Sequence, residues 1–445
     1  MSDKIINKNH NRVQVSTAKG MRDIFGDDLK KMNNIREVAA IIASQNNFMN
    51  LETPIVEEKA LFAKNLGDET EVVAKEIFDV LGGGTAALKK MCESLGDDGN
   101  GEGFTALALR PEFTASVVRF LMQHNREFPS PQKLFSCGPV FRHDRPQFGR
   151  YRQFNQLNFE IFGSDTLECD VYCVNLAWQV LKGCGAIGKI KLHVNFLGCA
   201  ETMKSYAGAL TEYFKVHEAS LSDDSRKKIA SNPLRILDSK DGGDKKIVLN
   251  APKIQSHYTY EYAQRVKDTI AMISEIGIDF EIDSNLVRGL DYYNGIVWEF
   301  VMTDANSSQN TVLGGGRYNN LMGMVSCGKI STPAIGFAAG IERLAMICKP
   351  PEESEETTIG IVAVGKHLFA GAILLANRFS NLKVGKSEVI FVTDGVTKGI
   401  KKAQKLGCTH ICIFGEKEKS ATTLSDEELL KLTKEGADNC LIKSL

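Results

Sequence analysis

The sequence predicts an α+β protein followed by a small C-terminal α/β domain. Three observations carry that prediction. Residues 138–163 read as a strand, a basic loop and a second strand, while 296–301 (IVWEFV) adds a strand and 333–347 (PAIGFAAGIERLAMI) a strand leading into a helix. A mostly helical, charged stretch from about 200 to 284 separates the two groups. Beyond residues 349–358, a linker by its paired prolines and acid run, the β-rich runs IGIVAV, VIFVT and HICIFG alternate with helical segments, the pattern of a compact α/β unit spanning 359–445.

Composition narrows the function classes. A chain of 445 residues allows roughly two to four domains. Apolar content of 43%, charged content of 24% and a net charge of −1 describe an ordinary globular protein without a global basic field, so any nucleic-acid surface is a local patch. The eleven cysteines are scattered singly with no zinc-type spacing, which favours reduced thiols in a cytoplasmic protein and no dedicated metal site. No apolar run approaches the ~18 residues that span a membrane. The N-terminal residues 1–18 are polar, without the apolar centre of a signal peptide, and read as a loose tail.

Taken in order, Lys19 to Ile24 opens the ordered part. Ile35, Val38, Ala39, Ile42 and Ala43 recur at helical spacing, so a helix is expected from about Leu29 to Ser44. Leu51 to Glu57 reads as a short strand whose Pro54 restricts it to an edge or an interface. Val73 to Val80 is a candidate strand, and 82–103, with seven glycines, a surface loop. In Arg110-Pro111-Glu112-Phe113-Thr114 the proline suits a helix start and Glu112 its first turn, where an acid is favoured by the dipole. On the strand 151–162, alternation puts Arg152, Phe154, Gln156, Asn158 and Glu160 on one face and Leu157, Phe159 and Ile161 on the other. A solvated polar face is the default for an isolated hairpin. Four arginines around the turn (Arg142, Arg145, Arg150, Arg152) point instead to a phosphorylated ligand beside a small polar one. Residues 166–184 read as a helix, 189–195 as a strand and 199–232 as helical. Asn285 to Val301 (NLVRGLDYYNGIVWEFV) ends in a clear strand, and Asn306 to Asn310 form a polar turn. Gly314-Gly315-Gly316-Arg317-Tyr318 lets backbone approach a ligand closely, although a bare glycine triplet is commonly a turn. Arg343, in the first turn of a helix whose dipole disfavours a cation there, suggests an anionic partner.

The hairpin 138–163 resembles motif 2 of class II aminoacyl-tRNA synthetases, in the form found in histidyl-tRNA synthetases. The helix and proline-bearing strand near 29–57 resemble motif 1, a dimer interface in that family, and 333–347 resembles motif 3. LVRGLDYY (286–293) and GGGRY (314–318) resemble two histidine-specific motifs. The resemblance implies an antiparallel-sheet catalytic core over 19–348, a helical insertion over the tRNA acceptor stem, a C-terminal anticodon-binding domain, and a cytoplasmic homodimer. It implies a reaction in which L-histidine and ATP, with Mg²⁺, form histidyl-adenylate before transfer to tRNA(His). By this resemblance Arg288 and Arg142 act at the α-phosphate, Arg343 grips the γ-phosphate, and Arg150 assists. Glu112, Thr114 and Gln156 hold the α-amino group, Glu160 and Tyr293 read the imidazole, and Tyr292, Gly315 and Tyr318 line the pocket. Two departures stand out: Phe113 where the family usually has Gly, and Asn319-Asn320 for Asp-Gly. Beyond Ile359, 13 Lys and Arg against 9 Asp and Glu give a net charge of +4, with Lys398, Lys401, Lys402 and Lys405 forming a stripe expected to meet tRNA. Two other readings share this core: the non-catalytic, histidine-binding regulatory subunit of ATP phosphoribosyltransferase, and a tRNA-sensing module, which would be expected beside a kinase domain.

Overall fold

A computed structural model of the chain describes residues 16–66, 76–80, 106–124, 127, 129–144, 149–239, 241–286, 292–303, 310–349, 357–390, 395–416, 421–432 and 442–444. Residues 1–15 of the expected tail, the glycine-rich loop, the strand start at 73–75, the polar turn at 306–309, Arg145, Arg288 and most of the linker lie outside them. The chain divides into two compact units, Met1–Pro351 and Glu352–Leu445.

The first unit is built on an eight-stranded sheet. Its strands are β1 (Met49–Asn50), β5 (Gln132–Phe141), β6 (Gln153–Phe162), β11 (Ala334–Gly340), β10 (Thr311–Arg317), β9 (Ile296–Met302), β7 (Ile190–Phe196) and β8 (Phe280–Ile282), in that spatial order. The six central strands run antiparallel, and β1 and β8 join the two edges in parallel. A separate three-stranded antiparallel sheet of β2 (Val56–Glu58), β4 (Leu107–Leu109) and β3 (Phe78–Val80) packs Ala108 into one cluster with Leu134 and Val140 of β5.

Each strand of the large sheet sends alternate side chains to opposite faces. One face is a dry core, where Leu157, Phe159, Ile161, Trp298, Phe300 and Phe337 pack against the helices Gly26–Gln45, Leu167–Gly183 and Ile341–Ile347. The helix Gly26–Gln45 starts three residues before the expected boundary and ends one residue after it, and buries the predicted Ile35, Ala39, Ile42 and Ala43. The opposite face carries the candidate site.

Three expectations change and one alternative is excluded. The strand expected at 51–57 is interrupted: β1 and β2 flank Leu51–Ile55, and the Arg110 guanidinium holds the Thr53 carbonyl at 2.6 Å. The glycine triplet 314–316 is no turn but the middle of β10, paired on both sides. The helix expected from Pro111 begins at Thr114 instead. The helical stretch 200–284 returns to the sheet before its end. The helix Tyr260–Glu275 packs on Leu167–Gly183, and β8 pairs with β7.

Only about 200–258 builds a separate helical core, around Tyr206, Leu210, Phe214, Ile236 and Ile254. At its hub Asp244 accepts hydrogen bonds from the Ser222 amide and hydroxyl and from the Ser225 and Ser239 hydroxyls. Burial alone would raise this carboxyl, but those donors outweigh it and hold it at about 2.

In the second unit, β12 (Thr358–Ala363) pairs in parallel with β13 (Lys386–Ile390) and β14 (His410–Phe414), and β15 (Lys443–Ser444) adds an antiparallel edge to β14. The helix Phe369–Asn381 closes a core of Ile359, Ile361, Leu375, Phe379 and Phe414. The helix Val396–Lys405 turns Gly399 and Ala403 inward and leaves Lys398, Lys401, Lys402 and Lys405 exposed.

Candidate active site

The polar face of β6 is buried. Gln156, Asn158 and Glu160 are only 7%, 1% and 1% exposed. A solvated hairpin is therefore excluded, and three buried polar side chains in one row must be matched by hydrogen bonds. Glu160 Oε1 accepts from the Thr114 hydroxyl (2.6 Å) and from Asn158 Nδ2 (2.9 Å), and Oε2 accepts from the Tyr318 hydroxyl. Gln156 Oε1 accepts from the Phe113 amide at 3.2 Å. Burial pushes the Glu160 carboxyl up to about 7, against the pull of these donors. Burial and the Glu160 charge hold the Tyr318 phenol well above its usual range, so it stays a donor.

The helix Thr114–His124 supplies one wall. Its first amides are met by Glu112, whose carboxylate accepts from Thr114 N and from Ala115 N (2.8 Å). Glu112 is thus a buried helix cap, not a surface acid, and burial raises its carboxyl despite those two amides. Phe113 fits the same wall. It is buried, its ring lies 4.2 Å from the Arg110 guanidinium, and its backbone avoids the left-handed region in which glycine would be favoured.

Tyr292, Tyr293 and Tyr318 form the opposite wall, with ring centroids 4.6 to 6.2 Å apart. The floor between the walls is nearly bare. In the ladder Glu160 faces Gly336, which faces Gly316, and Asn158 faces Ala338, which faces Gly314. A Cβ on Gly336 would lie 1.6 Å from Glu160 Oε2, and one on Gly316 would press into the Tyr293 ring at 2.7 Å. At Gly315 the ladder brings backbone to the middle of this floor. The side chain Gly315 lacks would point to the helix-covered face, into Trp298 and the Gly336 carbonyl at 2.5 Å, so its smallness serves packing there.

Further along the same face three arginines converge. Arg142 donates to the Pro111 carbonyl (3.0 Å), Arg150 pairs with Asp144, and Arg343 donates to the carbonyls of Gly149 (3.2 Å) and Thr311 (2.9 Å). Burial pulls Arg343 below its usual range, and Arg150 and Arg142 lower it further, with Glu299 and Asp144 offsetting only part. Burial lowers Arg142 likewise; Glu76 and Glu112 oppose this, and Arg150 adds to it. Clustered half-buried cations that repel one another favour an anionic ligand. The neighbouring Glu342 fixes this end, its carboxylate accepting from the Asn155 amide (2.9 Å) and side chain (2.9 Å), which ties the Arg343 helix to β6.

The sequence reading brought Glu112, Thr114, Gln156, Glu160, Tyr292, Tyr293 and Tyr318 to one pocket, and Arg142, Arg150 and Arg343 to the adjoining cluster. Arg288 lies outside the described residues, and the four lysines belong to the other unit. Missed were Asn158, the floor glycine Gly336 and a buried ion-pair network. In that network Arg317 donates to Asp170 Oδ1 (2.6 Å), Ser164 O (2.9 Å) and Asn319 Oδ1 (3.0 Å), while Arg265 donates to Asp170 Oδ2 (2.8 Å). Asn319 Nδ2 donates to Asp165 (3.0 Å), a bond the usual Asp could not make. This network sets the end of β10 beside Tyr318. Asp170→Asn should cost about 3–5 kcal/mol of stability, because it leaves Arg317 buried without a full counter-charge. Urea unfolding of the variant checks this.

Comparison with known proteins follows the same line. A family model for histidyl-tRNA synthetase matches residues 74–344. A histidine–tRNA ligase of Wolbachia pipientis subsp. Culex pipiens (strain wPip) is 39% identical over 409 residues, covering 92% of this chain and 94% of that protein. The apo structure of S. aureus histidyl-tRNA synthetase superposes with a TM-score of 0.70 at 26% identity, over 91% of this chain and 92% of that one. A Bacillus halodurans structure described as an ATP phosphoribosyltransferase regulatory subunit/histidyl-tRNA synthetase shares the fold, with a TM-score of 0.62 at 19% identity over 90% and 98% of the two chains.

Proposed function

Because this chain belongs to the histidyl-tRNA synthetase family, we propose that it activates L-histidine with ATP and transfers the histidyl group to tRNA(His). The observation that carries the reading is one sheet face holding a buried carboxylate pocket next to a three-arginine cluster. In the first step a histidine carboxylate oxygen attacks the α-phosphorus of ATP. The bond to the β-phosphate bridge oxygen breaks, and pyrophosphate leaves. Negative charge grows on the α-phosphate oxygens, and fixed cations stabilise it. Arg142 is the described residue for that role and Arg288 its partner by resemblance. Arg343 holds the γ-phosphate, with Arg150 assisting. The 3′-terminal ribose hydroxyl of the tRNA then attacks the adenylate carbonyl, and AMP leaves.

In the pocket, Glu160 and Tyr293 meet the imidazole. Glu112, Gln156 and the Thr114 oxygen face the α-ammonium as acceptors. Thr114 already donates its proton to Glu160, which leaves its lone pairs for an N–H. Mg²⁺ enters with ATP as part of the substrate. Two carboxylates lie near Arg343: Asp144 pairs with Arg150, which leaves Glu299, half-buried and accepting from the Thr311 hydroxyl at 2.6 Å, as the better fit for Mg²⁺. Among the described residues no three His, Cys, Asp or Glu gather into a metal cage, so phosphates and water would supply most ligands.

Two further parts of the reading concern partners. Around the first helix and the β1 edge, Phe25 (79% exposed), Ile41, Met49, Ile55 and Val56 leave apolar surface open, which supports a homodimer through this edge. The exposed lysines of Val396–Lys405 suit the tRNA backbone. Among the described residues no helix is long and apolar enough to cross a membrane. The cytoplasmic location belongs to this proposal through the family resemblance alone. Histidine-dependent exchange of pyrophosphate into ATP tests the core reading. Exchange with histidine alone is expected, whereas histidine binding without exchange would favour the regulatory-subunit alternative. Removing 359–445 should leave exchange within about twofold and lower tRNA charging by at least tenfold, roughly the loss of several phosphate contacts. Aminoacylation of tRNA(His) by the shortened chain measures it.

A further inference from the structure

One polar atom of the pocket has no partner among the described residues. Asn158 lies on β6 between Gln156 and Glu160 and is 1% exposed. Its Nδ2 donates to Glu160 Oε1 at 2.9 Å, which fixes the way round the amide sits, yet its Oδ1 accepts nothing. A buried carbonyl without a donor is unfavourable and uncommon in native proteins. The neighbours in its row do not supply one. Across the ladder Asn158 faces Ser136 on one side and Ala338 on the other. Ser136 directs its hydroxyl proton to Leu51 O at 2.7 Å, and Ala338 and the next residue in the row, Gly314, carry no polar side chain. A carbonyl oxygen can only accept, so its missing partner is a donor.

We propose that Asn158 is a specificity-determining residue that accepts an imidazole N–H of the bound amino acid through Oδ1, beside Glu160. The inference rests on the histidine reading above. The bond to Glu160 sets the Asn158 amide at the imidazole end of the pocket. The two side chains then present adjacent acceptors, a carboxylate and a carbonyl, to the ring. A ring of similar size without an N–H donor would leave the Asn158 carbonyl unpaired, and such sites discriminate strongly.

The experiment measures histidine-dependent pyrophosphate exchange for the wild type, Asn158→Ala and Asn158→Asp, with the two ring-N-methylated histidines as competitors. Asn158→Ala should raise KM for histidine roughly 10–100-fold with KM for ATP within about twofold, and should narrow the gap between histidine and one methylated analogue by a similar factor. Asn158→Asp keeps an acceptor oxygen and loses the Nδ2 bond to Glu160, so it should retain most of that discrimination. An unchanged KM and gap in Asn158→Ala overturns the proposal. So does an equal loss in both variants for histidine and analogues alike, which would make Asn158 only a support for Glu160. If Asn158→Ala does not fold, loss of the discrimination in Asn158→Asp overturns it. Failure of the wild type to exchange with histidine removes the underlying reading instead.

Discussion

Glu160→Gln is expected to lower kcat/KM for histidine in pyrophosphate exchange by about a thousandfold while KM for ATP changes little, roughly the discrimination of a buried polar site that loses one matched group. The substitution keeps volume and most of the local bonds. Thr114 and Asn158 can still donate to the remaining carbonyl oxygen, and the Tyr318 hydroxyl can turn to accept from the new amide. What is lost is the charged acceptor aimed at the imidazole. Steady-state exchange with histidine and ATP varied in turn separates the two parameters. A loss falling equally on ATP would mean that Glu160 shapes the whole cleft instead of reading the amino acid.

The same residue gives a pH signature. Burial raises Glu160 from its usual 4.5 to about 7 in the folded chain. Between those values the folded protein retains a proton that the unfolded chain has released, so stability falls as pH rises through that window and levels off above it. The span corresponds to about 3 kcal/mol. Glu160→Gln removes this slope, so the variant should gain on the wild type as pH rises from 4.5 to 7. Denaturant unfolding at several pH values reads this difference, and parallel pH curves would place the proton elsewhere.

Much of this site was legible before the fold. The alternation in RYRQFNQLNFEIF gave both faces of β6, and the spacing around Arg343 placed a cation at a helix start. What sequence pattern left open was whether the polar face was wet. The residues that cover it, Thr114, Tyr292 and Tyr318, lie 46 to 158 positions from Glu160 or its neighbours in the chain, and only tertiary packing brings them together. The start of the helix at Thr114 was missed for a related reason. Pro111 and Glu112 both favour a first turn, but here the Glu112 carboxylate stands outside the helix and caps it. The glycine triplet carries no alternation of its own, so its strand is defined by β9 and β11 on either side. Likewise β8 has three residues, too few to show a period, and only its pairing with β7 marks the end of the helical insertion.

Gly336→Ala should nearly abolish histidine-dependent exchange, although it adds a single methyl group. Gly336 lies opposite Glu160 on the neighbouring strand and on the same face. The added Cβ would sit 1.6 Å from Glu160 Oε2 and 2.5 Å from the Phe159 carbonyl. The first clash is with a side chain and the second with backbone in the centre of the sheet. The strand has little freedom to retreat, since β11 is bonded along its length to β6 and β10. Glu160 must therefore turn away, giving up the Tyr318 bond and the orientation the imidazole needs, or β11 must shift and strain the ladder. Overpacking of this kind costs typically about 1–3 kcal/mol where side chains can adjust, and the backbone contact puts this position at the upper end. The two routes can be told apart. If Glu160 yields, thermal stability drops modestly and histidine no longer raises the melting temperature, while ATP still does. If the strand yields, stability falls by several degrees and both ligands lose their effect, because Arg343 follows β11 in the chain. The first outcome is expected, because a carboxylate that burial already disfavours gains by moving toward water. Wild-type exchange in this variant would show that Glu160 does not need the bare floor that the glycine provides.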